Sequence, residues 1–264
     1  MISKNSRILL AAVVALVVIG PAVSAQSLKG MSLNGQTGLI GIPSGRIGWE
    51  RSAELGFDLG YHAILDDETA NIPKASVSLF RVAEISLAYD TNDGEDNEDL
   101  IIGGKIQLPT DRTAVAIGGT FQSLQTAGNS DTAQQLYIAA TYPGDFFNMP
   151  AETTFAVGKT FGDAPGVPGD EAIDFGMGFD LLLFPDIFQG YVHWINDFAN
   201  FSYSWDAVGA NAAARGAFNT GIRIDLAANP NLSRYKFVID AMLTDALDDN
   251  RTLALGLAFG APIR

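Results

Sequence analysis

The chain has 264 residues, no cysteine, 47% apolar residues, and 30 acidic against 16 basic side chains, for a formal charge of −14. Without cysteine there is neither a disulfide framework nor a lipidated N-terminal cysteine. The acidic excess argues against nucleic acid or an anionic membrane surface as a partner.

Residues 1–25 read as an export leader. Lys4 and Arg7 precede an apolar run from Ile8 to Ile19, Gly20-Pro21 breaks it, and Ala22-Val23-Ser24-Ala25 supplies a small-residue cleavage pattern. The run is shorter than the roughly 20 residues a spanning helix needs, so cleavage after Ala25 is predicted. No later stretch is long and apolar enough for a membrane helix, and a mature chain that enters a membrane must then do so as a closed barrel.

From Ala53 to Phe259, segments of roughly ten residues alternate large apolar side chains with Gly, Ala, Ser, Thr or charge, the dyad pattern of a membrane barrel. In Ile173 to Leu181 one face reads Ile, Phe, Met, Phe, Leu and the other Asp, Gly, Gly, Asp. A polar face so rich in Gly and Ala suits a crowded lumen better than a hydrated surface. Candidate strands fall at 53–62, 72–80, 84–90, 99–109, 112–123, 132–142, 151–161, 172–184, 187–195, 198–206, 215–226, 233–243 and 250–260. The connections alternate long and short, as outer loops and periplasmic turns do. The alternation fails at Asn196-Asp197, read as a tight turn, and bacterial single-chain barrels have even strand numbers. The prediction is therefore an all-β, antiparallel up-and-down transmembrane barrel of 12 strands over residues 53–264, with 14 as the alternative if Thr37 to Ile42 is a strand. Residues 26–52 are an N-terminal segment serving as a first strand or a plug.

With a turn at Asn196-Asp197, Gln189, Tyr191 and His193 face Ser204, Ser202 and Asn200 on the inner side. On 233–243, Tyr235, Phe237, Ile239 and Leu243 point outward. On 215–226, Phe218, Ile222 and Ile224 do so. The predicted lumen lining is Asp58, Lys105, Asp174, Asp180, Gln189, Tyr191, His193, Asn200, Ser202, Arg223, Asp225, Arg234, Lys236 and Asp240. Mixed signs in a narrow lumen can pair and plug it, or line a pore for small polar solutes.

The segment Gly35-Gln36-Thr37-Gly38-Leu39-Ile40-Gly41-Ile42-Pro43-Ser44-Gly45-Arg46 resembles the opening GxTGLxxxPxAR stretch of YjbH-like outer-membrane proteins associated with exopolysaccharide production. Gly35, Thr37, Gly38, Leu39, Pro43 and Arg46 match, and Gly45 stands where Ala is more usual. The resemblance covers about 25 residues and implies an outer-membrane barrel; family members are generally longer, with larger barrels. Read without it, the segment is a strand and a turn ended by Pro43.

No enzymatic constellation is assigned. His193 with Ser202, Asn200 and Tyr191 superficially resembles a hydrolase set, but its order and spacing match no such motif. His62 reads as a surface or interfacial residue at a strand end. The acidic stretch Asp90 to Asp99 lacks the Gly and terminal Glu of an EF-hand loop and reads as a solvated outer loop. No metal site or cofactor is predicted. The expected function is a narrow channel or an accessory to envelope polysaccharide export in the bacterial outer membrane. The alternatives are a closed-lumen structural or surface-interaction barrel and, less favoured, a lipid-modifying enzyme. Outer-membrane lipid and lipopolysaccharide, envelope polysaccharide and small polar solutes are the expected partners.

Overall fold

The computed structural model describes residues 30–50, 53–66, 69–92, 98–126, 129–162, 173–201, 216–248 and 251–263. The leader read over 1–25 and Ser202 lie outside them.

Twelve antiparallel strands form one closed barrel in which each strand pairs with its sequence neighbours. They are β1 (Leu55–Leu65), β2 (Thr69–Leu79), β3 (Ala83–Asn92), β4 (Glu98–Leu108), β5 (Ala114–Thr126), β6 (Asn129–Phe146), β7 (Met149–Gly162), β8 (Asp174–Leu182), β9 (Val192–Ala199), β10 (Ala217–Asp225), β11 (Lys236–Thr244) and β12 (Thr252–Ile263). The first strand closes on the last in a continuous ladder from Leu55↔Ile263 to Leu65↔Leu253. Among the described residues no helix is long and apolar enough to cross a membrane. A short helix, α1 (Pro185–Phe188), sits in the β8–β9 connection.

The predicted alternation sets the two faces of the wall. Exposed Leu59, Ile85, Leu87, Ile117, Leu136, Ile138, Phe237, Leu255 and Phe259 form an apolar outer belt, while intervening residues such as Ser76, Ser86, Gln135 and Thr154 are buried inside. Strand side chains alternate between faces, so the dyad in the sequence becomes an outside and an inside. Glycines on the inner face leave room for bulk: a Cβ at Gly56 would lie 2.4 Å from the Trp49 ring, and one at Gly256 would lie 2.3 Å from His62 Nε2.

The structure corrects the reading around Asn196-Asp197. These residues lie inside β9, which pairs with β8 on one side and β10 on the other. The predicted strands 187–195 and 198–206 thus meet within β9 instead of turning back on each other, which removes the odd thirteenth strand; residues 202–206 lie outside the described ones. The pairing of His193 with Asn200 across a hairpin goes with it; His193 faces Arg223 and Leu182 instead. An inward Asp beside Asn imitates a turn, because the same residue types favour turns and buried polar anchoring. Thr37 to Ile42 is not a wall strand either; it lies within the lumen.

Candidate functional site: the filled lumen

Residues 30–49 are all buried. The segment folds back on itself through the isolated bridges Met31↔Thr37 and Gly38↔Pro43. Ser32 donates its N–H to the Gln36 carbonyl at 2.8 Å, Leu33 to Ile40 at 2.8 Å, and Leu39 to Ile42 at 3.0 Å. Gly35, with φ +85°, makes the first turn in a conformation that side chains with a Cβ disfavour. At Gly38 a Cβ would lie 2.2 Å from the Ile42 carbonyl oxygen, so only Gly permits the second turn. The apolar side chains Leu33, Leu39, Ile40 and Ile42 pack with the inward wall residues Ile72, Ile101, Tyr137, Ile195 and Phe201.

The backbone of this plug is held mostly by charged side chains of the wall. Glu84 accepts from Thr37 N–H (2.7 Å), Thr37 Oγ1–H (2.6 Å) and Gly48 N–H (3.0 Å). Asp197 accepts from the N–H groups of Ile40 (2.9 Å) and Gly41 (2.7 Å) and from Asn219 Nδ2 (2.7 Å). Lys105 donates to the carbonyls of Thr37 (2.7 Å) and Ser44 (3.2 Å), and Lys74 to those of Ser32 (2.9 Å) and Leu33 (3.2 Å). Arg223 reaches the Gly38 carbonyl at 3.3 Å while holding Asp240 in two bonds of 2.9 and 3.0 Å. Buried backbone groups must find partners, and here an irregular segment finds them on the inside of a barrel.

Toward the short-turn end, Arg46 forms a two-pronged pair with Glu152 (3.0 and 3.3 Å) and a 2.9 Å bond to Glu50. Burial opposes the Arg46 charge, but Glu152 and Glu50 more than offset it, and the pKa of the guanidinium is raised. Trp49 donates Nε1–H to Asp58 at 3.1 Å, and Lys236 holds the same carboxylate at 3.0 Å while its ammonium lies 4.7 Å from the Trp49 ring centre. Gly45 donates its N–H to Thr141 Oγ1 at 2.9 Å.

Neither a protein-family model nor a curated protein matches the sequence. The fold has solved relatives. The KdgM porin superposes with a TM-score of 0.50 at 6% identity, over 78% of this chain and 99% of that one. The structure of KdgM porin in complex with disordered oligogalacturonate gives 0.51 at 5% identity over the same shares. The Acinetobacter baumannii outer membrane protein Omp33 gives 0.45 at 13% identity, covering 80% of this chain and 99% of that one. At these identities the likeness is one of fold.

Of the predicted lining residues, Asp58, Lys105, Asp174, Asp180, His193, Asn200, Arg223, Asp225, Lys236 and Asp240 are buried. Asp58, Lys105, Arg223, Lys236 and Asp240 belong to the network around the plug, and Asp180 accepts from or donates to His193 Nδ1 at 2.5 Å according to its proton. Asn200 is at the loop end, where its side chain ties Phe175 N–H and the Ile173 carbonyl. Three of the predicted residues lie elsewhere. Gln189 is exposed where α1 ends, Tyr191 is half-buried in the β8–β9 connection, and Arg234 is exposed in the connection before β11. All three lie just beyond strands that are shorter than predicted. His62 is also corrected: it is fully buried, 3.6 Å from Asp240.

His193 and Asn200 are separated by seven positions along one extended segment, roughly 20 Å at strand rise, so they do not share a site. Sequence reasoning missed Glu84, Asp197, Lys74, Glu152 and Arg46 as anchors. The first four could have been found as the charged members of the inward phase of their strands. Among the described residues no group of three metal-ligating side chains could hold an ion.

Proposed function

We propose that this chain is an outer-membrane channel whose pore is shut at rest by its own N-terminal segment. The observation that carries the reading is the burial of residues 30–49 inside a closed barrel, with wall charges spent on their backbone. The apolar belt supports a bilayer as the surrounding solvent, since only a closed barrel satisfies its backbone there without helices. The leader read over residues 1–25 supplies export, and lipid and lipopolysaccharide are then the outer partners. A plug held by polar bonds, rather than as a continuous strand of the wall, can leave without opening the barrel.

A role as an accessory to envelope polysaccharide export is the second reading. It is favoured because the residues that resemble the YjbH-like opening, Thr37, Gly38 and Arg46 among them, are the residues that seat the plug. Membership of that family is part of this second proposal.

The test uses the absence of native cysteine. A Cβ built at Gly176 lies 3.5 Å from Ile42 Cβ, within the span a disulfide bridges. The oxidised Ile42→Cys/Gly176→Cys chain should stay closed in planar bilayers, and reductant should restore wild-type openings. If the cross-linked protein conducts as freely as the reduced one, the plug is not the gate. If no form conducts, the closed structural barrel is the correct reading.

A further inference from the structure

We propose that the pore, once the plug withdraws, selects cations and rejects anionic solutes; this rests on the channel reading above and names its substrate class. The wall strands bury ten carboxylates against four lysine and arginine side chains. Three of those four already sit on carboxylates: Lys105 on Glu84 at 3.4 Å, Lys236 on Asp58 at 3.0 Å and Arg223 on Asp240 at 2.9 Å. The fourth, Lys74, holds plug carbonyls, and Glu152 of the wall takes its cation, Arg46, from the plug.

The imbalance has a direction along the pore. The four cations lie in the middle or the short-turn half, whereas the loop half of the inner wall carries Asp90 opposite Asp99, then Asp174 and Asp197. Withdrawal of the plug strips Asp197 of the Ile40 and Gly41 N–H donors, and only Asn219 remains with it. Asp174 Oδ1 and Gln135 Oε1 are both buried and have no hydrogen-bond partner, although Asp174 Oδ2 is bonded to Thr160 and to Gln135 Nε2. Two unsatisfied acceptor oxygens at the loop-side mouth are satisfied by a cation and left worse off by an anion. Rings of acidic side chains in a narrow low-dielectric passage are a recurrent basis of cation selectivity.

The described part of the plug carries one charge of each sign, Arg46 and Glu50, so its withdrawal uncovers Glu152 and leaves no added positive charge on the wall. The selectivity therefore belongs to the wall. An acidic polymer would meet repulsion at the loop-side mouth, and a cationic or neutral solute would not.

The experiment is the reversal potential of the full-length mature chain in a tenfold KCl gradient. Potassium should permeate about fivefold or more over chloride, as expected of an acidic ring, and Asp174→Asn with Asp197→Asn should at least halve that ratio. A ratio at or below one overturns the proposal. If no openings appear, the single thiol of Gln122→Cys, inward in the loop half, is reacted with cationic and anionic methanethiosulfonates. A cationic rate about tenfold faster supports the acidic lumen; equal rates overturn it. No reaction with either reagent means that the plug never leaves, and the channel reading fails together with this one.

Discussion

Glu84 of β3 receives both the N–H and the hydroxyl of Thr37, at 2.7 and 2.6 Å, across 47 residues of sequence. A third bond from Gly48 N–H and the Lys105 ammonium complete its surroundings. One carboxylate thus grips the plug at its middle and again near its C-terminal end.

Removing that charge should loosen the plug more than the barrel. Hydrogen bonds to a charged group contribute about 1.5–3 kcal/mol each, so Glu84→Gln should raise the open fraction roughly ten- to a hundredfold. Single-channel dwell times measure it. An unchanged open fraction would show that the grip on Thr37 does not hold the closed state.

Gly38→Ala places a Cβ 2.2 Å from a backbone carbonyl that cannot swing aside. The turn must rearrange, and residues 30–50 should become sensitive to added protease while the unheated barrel keeps its compact gel mobility. Loss of compact mobility instead would mean that barrel assembly depends on the seated plug.

Neighbouring residues of β11 face opposite media: Phe237 is exposed on the outer belt, and Lys236 is buried against Asp58. Phe237 is the second residue of β11, beside the Tyr235–Phe259 aromatic stack at the end of the strand, where an outward Arg costs about 0–1 kcal/mol. Refolding yield in lipid vesicles should therefore fall less for Phe237→Arg than for Lys236→Ala, which leaves Asp58 buried without its cation at a cost of about 3–5 kcal/mol. Equal yields would contradict an outward Phe237.

His193→Ala should leave assembly intact and phospholipid hydrolysis at background before and after the change. The imidazole meets Asp180 inside the wall, and Asn200 is at the other end of the barrel. Hydrolysis that this substitution abolishes would instead identify an enzyme.

β3 and β4 are joined at the end of the barrel opposite the short turns Phe80 to Val82 and Phe147-Asn148. An epitope inserted at Gly94 in that connection should be detected on intact cells. Detection only after the outer membrane is permeabilised would invert the topology and place the acidic connections in the periplasm.

Alternation of side chains was sufficient for the fold class, because a strand with one apolar face and one small or polar face has few arrangements that satisfy both. It located eleven of the wall strands to within a few residues, as at 84–90 against β3 (Ala83–Asn92) and 215–226 against β10 (Ala217–Asp225). It also separated Phe218 and Ile222 from Asn219 and Arg223. The same local signal misled at Asn196-Asp197, where side chains that favour turns serve a long-range bond to Ile40 and Gly41 instead. Nothing local tells a glycine-rich stretch before a barrel whether to pair in the wall or fold within it. That choice was made by the tertiary structure, since the partners of residues 30–50 come from β1, β2, β3, β4, β6, β7, β9, β10 and β11, brought together only when β1 closes on β12. The sequence determined an outside and an inside; closure of the barrel determined what the inside holds.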